Sequence, residues 1–175
     1  LAGSVSIVEP YLSGLGRRVS FSLETNPGKF YHFSFEFNEP WLDEKNTSFG
    51  LRLYSNYNLA QTGKDDGAEY LYDGKNTGLE LTLGRALTRN LRMDTSLQFD
   101  KVTINPKSLV GTGTLPDDQE YWNNSVGLGL VQDKREISNM YYSTGGYMAQ
   151  IGANFYGGIL GGKYDYQRYT GDFKQ

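Results

Sequence analysis

The stretch HFSFEFNEPWL, residues 32–42, decides the fold class of this chain. Phe33, Phe35 and Phe37 alternate with polar residues, and a repeat of two residues places the three rings on one face of a β-strand. The strand is predicted to stop at Glu39-Pro40-Trp41, because a proline has no N–H to donate to a neighbouring strand. The fold therefore depends on which solvent surrounds the phenylalanine face.

Period-two alternation of apolar and polar residues recurs along the whole chain. It is found in eight further segments, at residues 4–12, 19–24, 49–54, 78–84, 91–100, 126–130, 147–155 and 164–169. We find no convincing helical repeat. The sequence predicts an all-β, antiparallel chain of about nine strands, organised as a single domain over residues 1–175.

The composition excludes several classes of protein but leaves a membrane location open. Mean hydropathy is −0.55, and no run of about 18 apolar residues exists that would form a transmembrane helix. A strand of a transmembrane β-barrel needs only about 9–11 residues with every second one apolar, so low hydropathy is compatible with a barrel. The net charge of −3 argues against a nucleic-acid partner. The absence of cysteine excludes disulfides and cysteine-based metal or redox sites.

The connections between the predicted strands alternate between short and long. Residues 25–29 and 87–90 are short, and Pro27-Gly28 suits the centre of a type II turn. Residues 59–76 and 105–120 are predicted to be long loops. Such sorting is typical of outer-membrane barrels, which have short turns on one side and long loops on the other. Residues 43–46 break the rule, because they are short where a longer loop is expected.

Alternation alone does not distinguish a soluble sandwich or lipocalin-like barrel from a barrel in lipid, but three features favour lipid. The segments at 31–42 and 91–104 run to about 12 residues, above the soluble mode of roughly 5–6. Aromatic residues gather at segment ends, as at a membrane boundary. They are Tyr11, Phe30, Tyr31, Trp41, Tyr57, Tyr70, Tyr72, Tyr121, Trp122, Tyr141 and Tyr142.

The third feature is the charge on the face opposite the apolar one. That face carries Arg52, Glu80, Arg92, Asp94 and Asp100, which a dry core would not tolerate unpaired and a water-filled lumen would. We therefore predict that Phe33, Phe35 and Phe37 face lipid and that Trp41 lies at the lipid boundary.

Three motifs, in order along nearly the whole chain, resemble the BamA-type surface-antigen barrels. A Gly14-Leu15-Gly16 turn leads into the strand at 17–23, and the next strand ends in Glu39-Pro40-Trp41-Leu42. Residues 9–12 are similar to that strand ending. Residues 133–136 and 141–147 are similar to the family hairpin written D-x-R…Y-P-T-x-G, with Gly145 in the glycine position. Tyr142 stands where the family usually has proline.

The resemblance implies a sixteen-stranded antiparallel outer-membrane barrel, of which this chain supplies roughly strands two to ten. It also implies that periplasmic POTRA domains precede Leu1 and that a V-R-G-F loop and the C-terminal strands follow Gln175. The chain starts without Met and ends in YDYQRYTGDFKQ, which looks like a strand in progress, so we expect a partial chain.

No residue pattern indicates catalysis, a cofactor or a metal. His32 is the only histidine, and no Ser stands in a G-x-S-x-G elbow. Asp133 and Arg135 are the best functional candidates: they either form a salt bridge that fixes a hairpin or help to anchor the missing inward loop. Glu39, Pro40 and Trp41 are interpreted as architectural.

The function that the resemblance implies is non-enzymatic assembly of outer-membrane proteins. The partners would be outer-membrane lipid, unfolded barrel clients, chaperones and the lipoproteins of an assembly complex. The alternatives are a two-partner secretion translocator, a TamA-like factor or the barrel of a fused passenger enzyme. A passive pore or small ligand-binding barrel is a further alternative, from a different class.

Overall fold

The computed structural model describes residues 2–14, 16–65, 68–110, 113–137 and 143–175. Within these ranges the chain forms β-strands and one short 3-10 turn at Gly158–Leu160. The strands are β1 (Gly3–Leu12), β2 (Arg17–Asn26), β3 (Phe30–Glu39), β4 (Thr47–Asp65), β5 (Ala68–Thr88), β6 (Leu91–Leu109), β7 (Gln119–Trp122), β8 (Ser125–Asp133), β9 (Glu136–Ile137), β10 (Ser143–Gly145), β11 (Met148–Tyr156) and β12 (Tyr166–Lys174). The described part has no helix that is long and apolar enough to cross a membrane.

One large antiparallel sheet contains almost all of these strands. Its order is β1-β2-β3-β4-β5-β6-β8-β11-β12, and β7 pairs with the outer part of β6. β9 and β10 form a separate two-stranded ribbon. The nine-strand path agrees with the number of strands predicted, and the all-β antiparallel fold class is confirmed. The sheet is open, with β1 at one edge and β12 at the other.

The connections lie on two opposite rims of the sheet. Among the described residues, the first rim carries 13–14, 16, 40–46, 89–90, 134–137 and 143–147, and the second rim carries 27–29, 110, 113–124 and 157–165. This placement corrects the predicted exception. Residues 43–46 share a rim with the other short turn at 87–90. The short segment at 25–29 lies on the opposite rim.

The predicted long loop at 59–76 is wrong, because β4 and β5 stay paired through it. Their register continues from Gln61↔Tyr72 to Asp65↔Ala68, after an irregularity between Asn58 and Gln61. β6 likewise extends to Leu109, so the second predicted loop is shorter than 105–120. We call residues 61–65, 68–73 and 105–109 the outer ribbon. It extends past β3, whose Phe30 pairs with Asn58, and past β7, whose Gln119 pairs with Ile104.

The turn between β2 and β3 has the predicted type II geometry. Gly28 has a φ of 80°, and the Lys29 N–H donates to the Asn26 carbonyl oxygen at 2.9 Å. A residue with a Cβ is strained at that φ, so Pro27-Gly28 closes the hairpin as the sequence indicated.

The sheet has no conventional apolar core. Among the described residues, only Tyr54 and Tyr70 are buried hydrophobic side chains, at 7% and 9% exposure. Large apolar side chains lie instead on an open face, including Leu53 at 40%, Leu83 at 50% and Leu128 at 50%. A soluble domain of this size would cover such a face with a second layer.

Candidate functional site

The open apolar face is built from side chains that line up across neighbouring strands. Phe35 pairs with Phe21 on β2 and with Leu53 on β4, and the row continues through Leu79 to Phe99. The next row runs from Val19 through Phe37 and Leu51 to Leu97, Val126 and Phe155. Because strand side chains alternate between faces, paired residues of adjacent strands share a face. The face is therefore continuous from β2 to β11.

The three phenylalanines of β3 lie within this face. Phe33 packs edge-to-face on Phe21, with ring centroids 5.6 Å apart, and Phe37 lies 6.5 Å from Phe49. The structure thus places Phe33, Phe35 and Phe37 together on an uncovered apolar surface. That lipid surrounds them stays a prediction.

The opposite face carries a row of paired polar residues. It crosses the sheet as Ser20–Glu36–Arg52–Glu80–Gln98. The Arg52 guanidinium lies 3.4 Å from the Glu36 carboxylate and 3.8 Å from that of Glu80. Ser20 Oγ donates to Glu36 at 3.3 Å. These groups are part-exposed, so each ion pair contributes little stability. The sequence predicted these charges on a face that lines a water-filled lumen, and the structure shows in addition that they pair with one another.

A more buried cluster lies beside this row. Asp100 is only 4% exposed, and its carboxylate accepts hydrogen bonds from the Tyr54 hydroxyl and, at 2.6 Å, from Gln98 Nε2. Gln98 Nε2 also donates to the Tyr54 hydroxyl at 3.0 Å. Gly78 lies between these side chains, where a Cβ would overlap with Asp100 and Tyr54. The cluster ties β4 and β6 together across a strand that has no side chain at that point.

The two remaining predicted charges of this face also have partners. The Arg92 Nε donates to Asp94 Oδ1 at 2.7 Å, and Arg92 Nη2 donates to Ser48 Oγ. The polar face therefore joins β4 to β6 near the first rim as well as in its middle.

The Glu39-Pro40-Trp41 segment closes β3 at the first rim. Glu39 is 7% exposed, and its carboxylate pairs with the Arg17 guanidinium from the start of β2. The Trp41 N–H donates to Glu39 Oε1 at 3.4 Å, while the Trp41 side chain is 62% exposed. A Cβ added at Gly16 of the preceding turn would meet the Pro40 and Trp41 side chains at ordinary van der Waals distance. The segment thus joins two neighbouring turns of the first rim.

The next turn is organised by one exposed carboxylate. Asp43 accepts the backbone N–H groups of Lys45 and Thr47 at 2.9 and 3.0 Å, and Thr47 Oγ1 donates to it at 2.9 Å. These hydrogen bonds, chiefly from the Thr47 hydroxyl and backbone, lower the pKa of the Asp43 carboxyl. The turn needs no apolar contact to hold its shape.

Asp133 and Arg135 form a salt bridge where β8 leaves the sheet. Arg135 Nε and Nη2 donate to the two Asp133 carboxylate oxygens at 2.9 and 2.6 Å, and the Arg135 N–H donates to Oδ1 at 3.1 Å. These hydrogen bonds lower the pKa of Asp133 to about 2. This bidentate geometry supports the hairpin-fixing interpretation of the pair.

In this hairpin, the position that must be glycine for steric reasons is 146, next to the predicted Gly145. Gly145 pairs with Glu136 in the short ribbon. Gly146 has a φ of 83°, and a Cβ there would overlap with the Lys134 carbonyl oxygen. The Lys134 N–H donates to the Tyr147 carbonyl oxygen at 2.8 Å. Tyr141 and Tyr142, which the family motif and the aromatic pattern singled out, lie outside the described residues.

Aromatic side chains gather at the second rim, as the sequence indicated. Tyr31 and Tyr57 lie 5.3 Å apart, and Tyr121 meets Tyr164 edge-to-face at 5.5 Å. Trp122 is 51% exposed beside them. Tyr70 and Tyr72 stand further out, on the outer ribbon, and so do not belong to the rim.

Comparison with known proteins gives the same fold and a family. The family model of the Omp85 superfamily domain matches residues 12–175. The chain belongs to the Omp85 superfamily. A search of curated proteins finds no match. Among solved structures, 45 chains match.

One of those structures is the crystal structure of BamA from Haemophilus ducreyi lacking POTRA domains 1–3. It is similar with a TM-score of 0.73 over 99% of this chain, at 15% sequence identity. This Omp85 chain spans about a third of that structure, 34% of its length. The resemblance to the BamA-type barrels is therefore confirmed, as is the expected antiparallel all-β fold of part of such a barrel. An identity this low carries the fold alone.

The structure of this Omp85 chain also shows contacts that the alternation pattern could not predict. Sequence reasoning missed the Arg17–Glu39 pair, although both residues fall at apolar positions of their strands, where a charge calls for a partner. It also missed Asp73, which is 7% exposed and accepts the Ala60 N–H at 3.1 Å. No signal in the sequence marks that contact.

A metal site is not formed by the described residues. No group of three or more His, Asp or Glu side chains is close enough there to hold an ion. His32 instead contacts Asn58 at 3.1 Å and Glu24 at 3.9 Å. Its role is to join polar side chains of β2, β3 and β4.

Proposed function

We propose that this chain is part of the barrel of an outer-membrane protein assembly factor, which helps β-barrel proteins to fold and insert into the outer membrane. The observation that carries the proposal is the two-faced antiparallel sheet that superposes on BamA along almost its whole length. Membership of the Omp85 superfamily supports it.

The two faces suit a membrane wall. Apolar side chains such as Leu53 and Leu83 are exposed on one face, while the other carries the Arg52 ion pairs and the Asp100 cluster. In hydrocarbon, backbone groups must be satisfied by the sheet itself, so a wall of this kind closes into a barrel. We infer an outer-membrane location from the same features.

The proposed activity is physical and not enzymatic. An unpaired strand edge is costly in lipid, so an openable barrel seam can pair with an incoming client strand and guide its insertion. This chain would supply the stiff wall that holds such a seam open, because the Tyr54–Asp100–Gln98 cluster and the Arg52 row tie consecutive strands together. The proposed partners are lipid, unfolded clients and assembly lipoproteins.

The test is client folding in liposomes that contain the full-length protein. A small outer-membrane barrel is added unfolded, and its folding is followed by the shift of the unheated band on a gel. We expect faster folding than in empty liposomes. A lumen-facing change at Ser34 to Lys should leave the acceleration intact, whereas Phe35→Lys should reduce the amount of inserted factor.

The same liposomes distinguish the assembly function from the alternative functions. Export of a passenger without client folding would overturn the assembly proposal in favour of a secretion translocator. Steady ion conductance without either activity would overturn it in favour of a passive pore. In both cases Phe35→Lys would still impair insertion, since the barrel itself is retained.

A further inference from the structure

The connection between β11 and β12 presents an isoleucine entirely to the outside. Ile159 is 102% exposed, at the centre of the 3-10 turn Gly158–Leu160. Two glycines precede it and two follow it, in the sequence Gly157-Gly158-Ile159-Leu160-Gly161-Gly162. All four glycines have positive φ values, of 75°, 56°, 67° and 149° in chain order. The tight backbone therefore displays apolar side chains and little else.

This turn is held in place by three hydrogen bonds, one to Asp165 and two to Asn124. Asp165 Oδ1 accepts the Gly158 N–H at 2.7 Å, and Asn124 Nδ2 donates to the Leu160 carbonyl oxygen at 2.9 Å. The Gly157 N–H donates to the Asn124 carbonyl oxygen at 2.9 Å, and Asn124 is itself 8% exposed. A loop that only closed a hairpin would not need a buried asparagine to fix an exposed isoleucine.

The turn is continuous with the apolar face of the sheet. A groove of about 500 Å³ is lined by Val126 and Phe155, which belong to that face, and by Ile159 and Leu160 of the turn. Trp122 shares that apolar face, because it pairs with Lys101, two residues along β6 from Phe99, whereas Tyr121 pairs with Val102 on the opposite face. Trp122 is 51% exposed, and the Lys163 ammonium lies 4.9 Å from the Tyr121 ring centroid and 5.2 Å from that of Tyr164.

We infer that the glycine-flanked turn at residues 157–162 is a lipid anchor that inserts Ile159 among acyl chains at the membrane boundary beside the second rim. Lipid is the occupant that fits, because the turn extends the uncovered apolar face and lies next to the exposed aromatic side chain of Trp122. Such side chains place their apolar parts in hydrocarbon and their polar parts among headgroups. The inference rests on the proposed membrane barrel.

A single cysteine provides the test, since these 175 residues contain none. Ile159→Cys is made in the full-length protein, with any cysteine elsewhere replaced, and labelled with an environment-sensitive fluorophore in phosphatidylcholine vesicles. Phe35→Cys serves as the lipid-exposed reference. Leu115→Cys, at 41% exposure in another connection of the second rim, serves as the water-exposed reference.

We expect the label at 159 to show a blue-shifted emission, strong quenching by nitroxide-labelled lipid and weak quenching by aqueous iodide, like the label at 35. Strong iodide quenching at 159, matching the label at 115, would overturn the inference. Protection from both quenchers would also overturn it, in favour of a protein partner on the turn. If the label at 35 itself escapes lipid quenching, the membrane barrel fails and not the anchor alone.

Discussion

The β2–β3 hairpin and the outer ribbon are both regular antiparallel structure, yet only the first is visible in the sequence. In β3, Phe33, Phe35 and Phe37 alternate with polar residues, and their partners on β2, which are Leu23, Phe21 and Val19, alternate in the same way. In the outer ribbon, Gln61-Thr62-Gly63-Lys64 pairs just as regularly with Glu69-Tyr70-Leu71-Tyr72 but shows no alternation. Period-two patterning thus shows that one face of a strand is apolar and the other polar, and it is not required for strand pairing.

The same comparison explains where each region takes its stability. The hairpin has a large uncovered apolar face that lipid would surround. The outer ribbon is held by local contacts, such as Asp73 with Ala60 and Tyr57, and Tyr70 over Gly63. Substitutions at matched positions of the two regions should therefore change the free energy of unfolding by different amounts.

The largest difference is expected for a charge introduced on the lipid-facing surface. Phe35→Lys should destabilise the inserted protein by about 2–4 kcal/mol, because a cation near the bilayer midplane is poorly solvated. The same lysine at Thr62, an exposed residue of the outer ribbon, should change stability by about 0.5 kcal/mol or less. Urea unfolding of the full-length protein in vesicles measures both.

The control for this pair is Ser34→Lys, one residue away on the opposite face of β3. Ser34 Oγ lies 2.8 Å from Ser22 Oγ, among the polar side chains. A water-filled interior solvates the new charge, so the cost should be well below that at Phe35. Equal costs at positions 34 and 35 would show that the two faces meet the same solvent and would contradict the membrane barrel.

The second effect concerns Asp100, the most buried carboxylate among the described residues. Asp100→Ala should cost about 1–3 kcal/mol, because it leaves the Tyr54 hydroxyl without its acceptor and removes one of the two acceptors of the Gln98 amide. In a double-mutant cycle with Tyr54→Phe, the two losses of stability should not add, since each substitution removes the same hydrogen bond between Tyr54 and Asp100. Additive losses would mean that Asp100 and Tyr54 act independently.

Much of the fold follows from the sequence because one face of the sheet is apolar and the other polar, so alternate residues carry opposite chemistry. That contrast locates β3 and the body of β4 to β6, and Pro27-Gly28 locates a turn. It cannot locate the ends of β4 and β5, since beyond Asn58 both faces of the ribbon are polar and the contrast disappears.

The candidate site likewise has one part that the sequence predicts and another that it does not. The charges of the polar face, such as Arg52 and Asp100, were predictable as a set from their parity along the strands. Their partners were not, because the register between strands fixes whether Arg52 meets Glu36 or a residue two positions away. Gly78 and Gly146 are likewise explained only by what a Cβ would strike.

A smaller and local effect is expected in the outer ribbon. Asp73→Ala removes the acceptor of the Ala60 N–H, at the bulge where the ribbon leaves the body of the sheet. Hydrogen exchange at residues 59–65 should accelerate, while exchange in β2 and β3 and the urea midpoint stay unchanged. A global loss of stability would show that the ribbon and the body unfold as one unit.

The smallest effect is a pH dependence at the end of β8. The pKa of Asp133 is lowered from 3.8 to about 2 by its hydrogen bonds from Arg135, so the folded state prefers the ionised carboxylate. The contribution to stability is therefore fully present above the unfolded value of about 4 and is lost as the pH falls toward about 2. Hydrogen exchange at residues 133–137, corrected for intrinsic rates, should accelerate between pH 5 and pH 2. Asp133→Asn should exchange fast throughout this range, because the amide lacks the charge that holds Arg135. If the Asp133→Asn variant keeps the pH dependence, another carboxylate must cause it. Asp43 is the first to examine, because hydrogen bonds also lower its pKa.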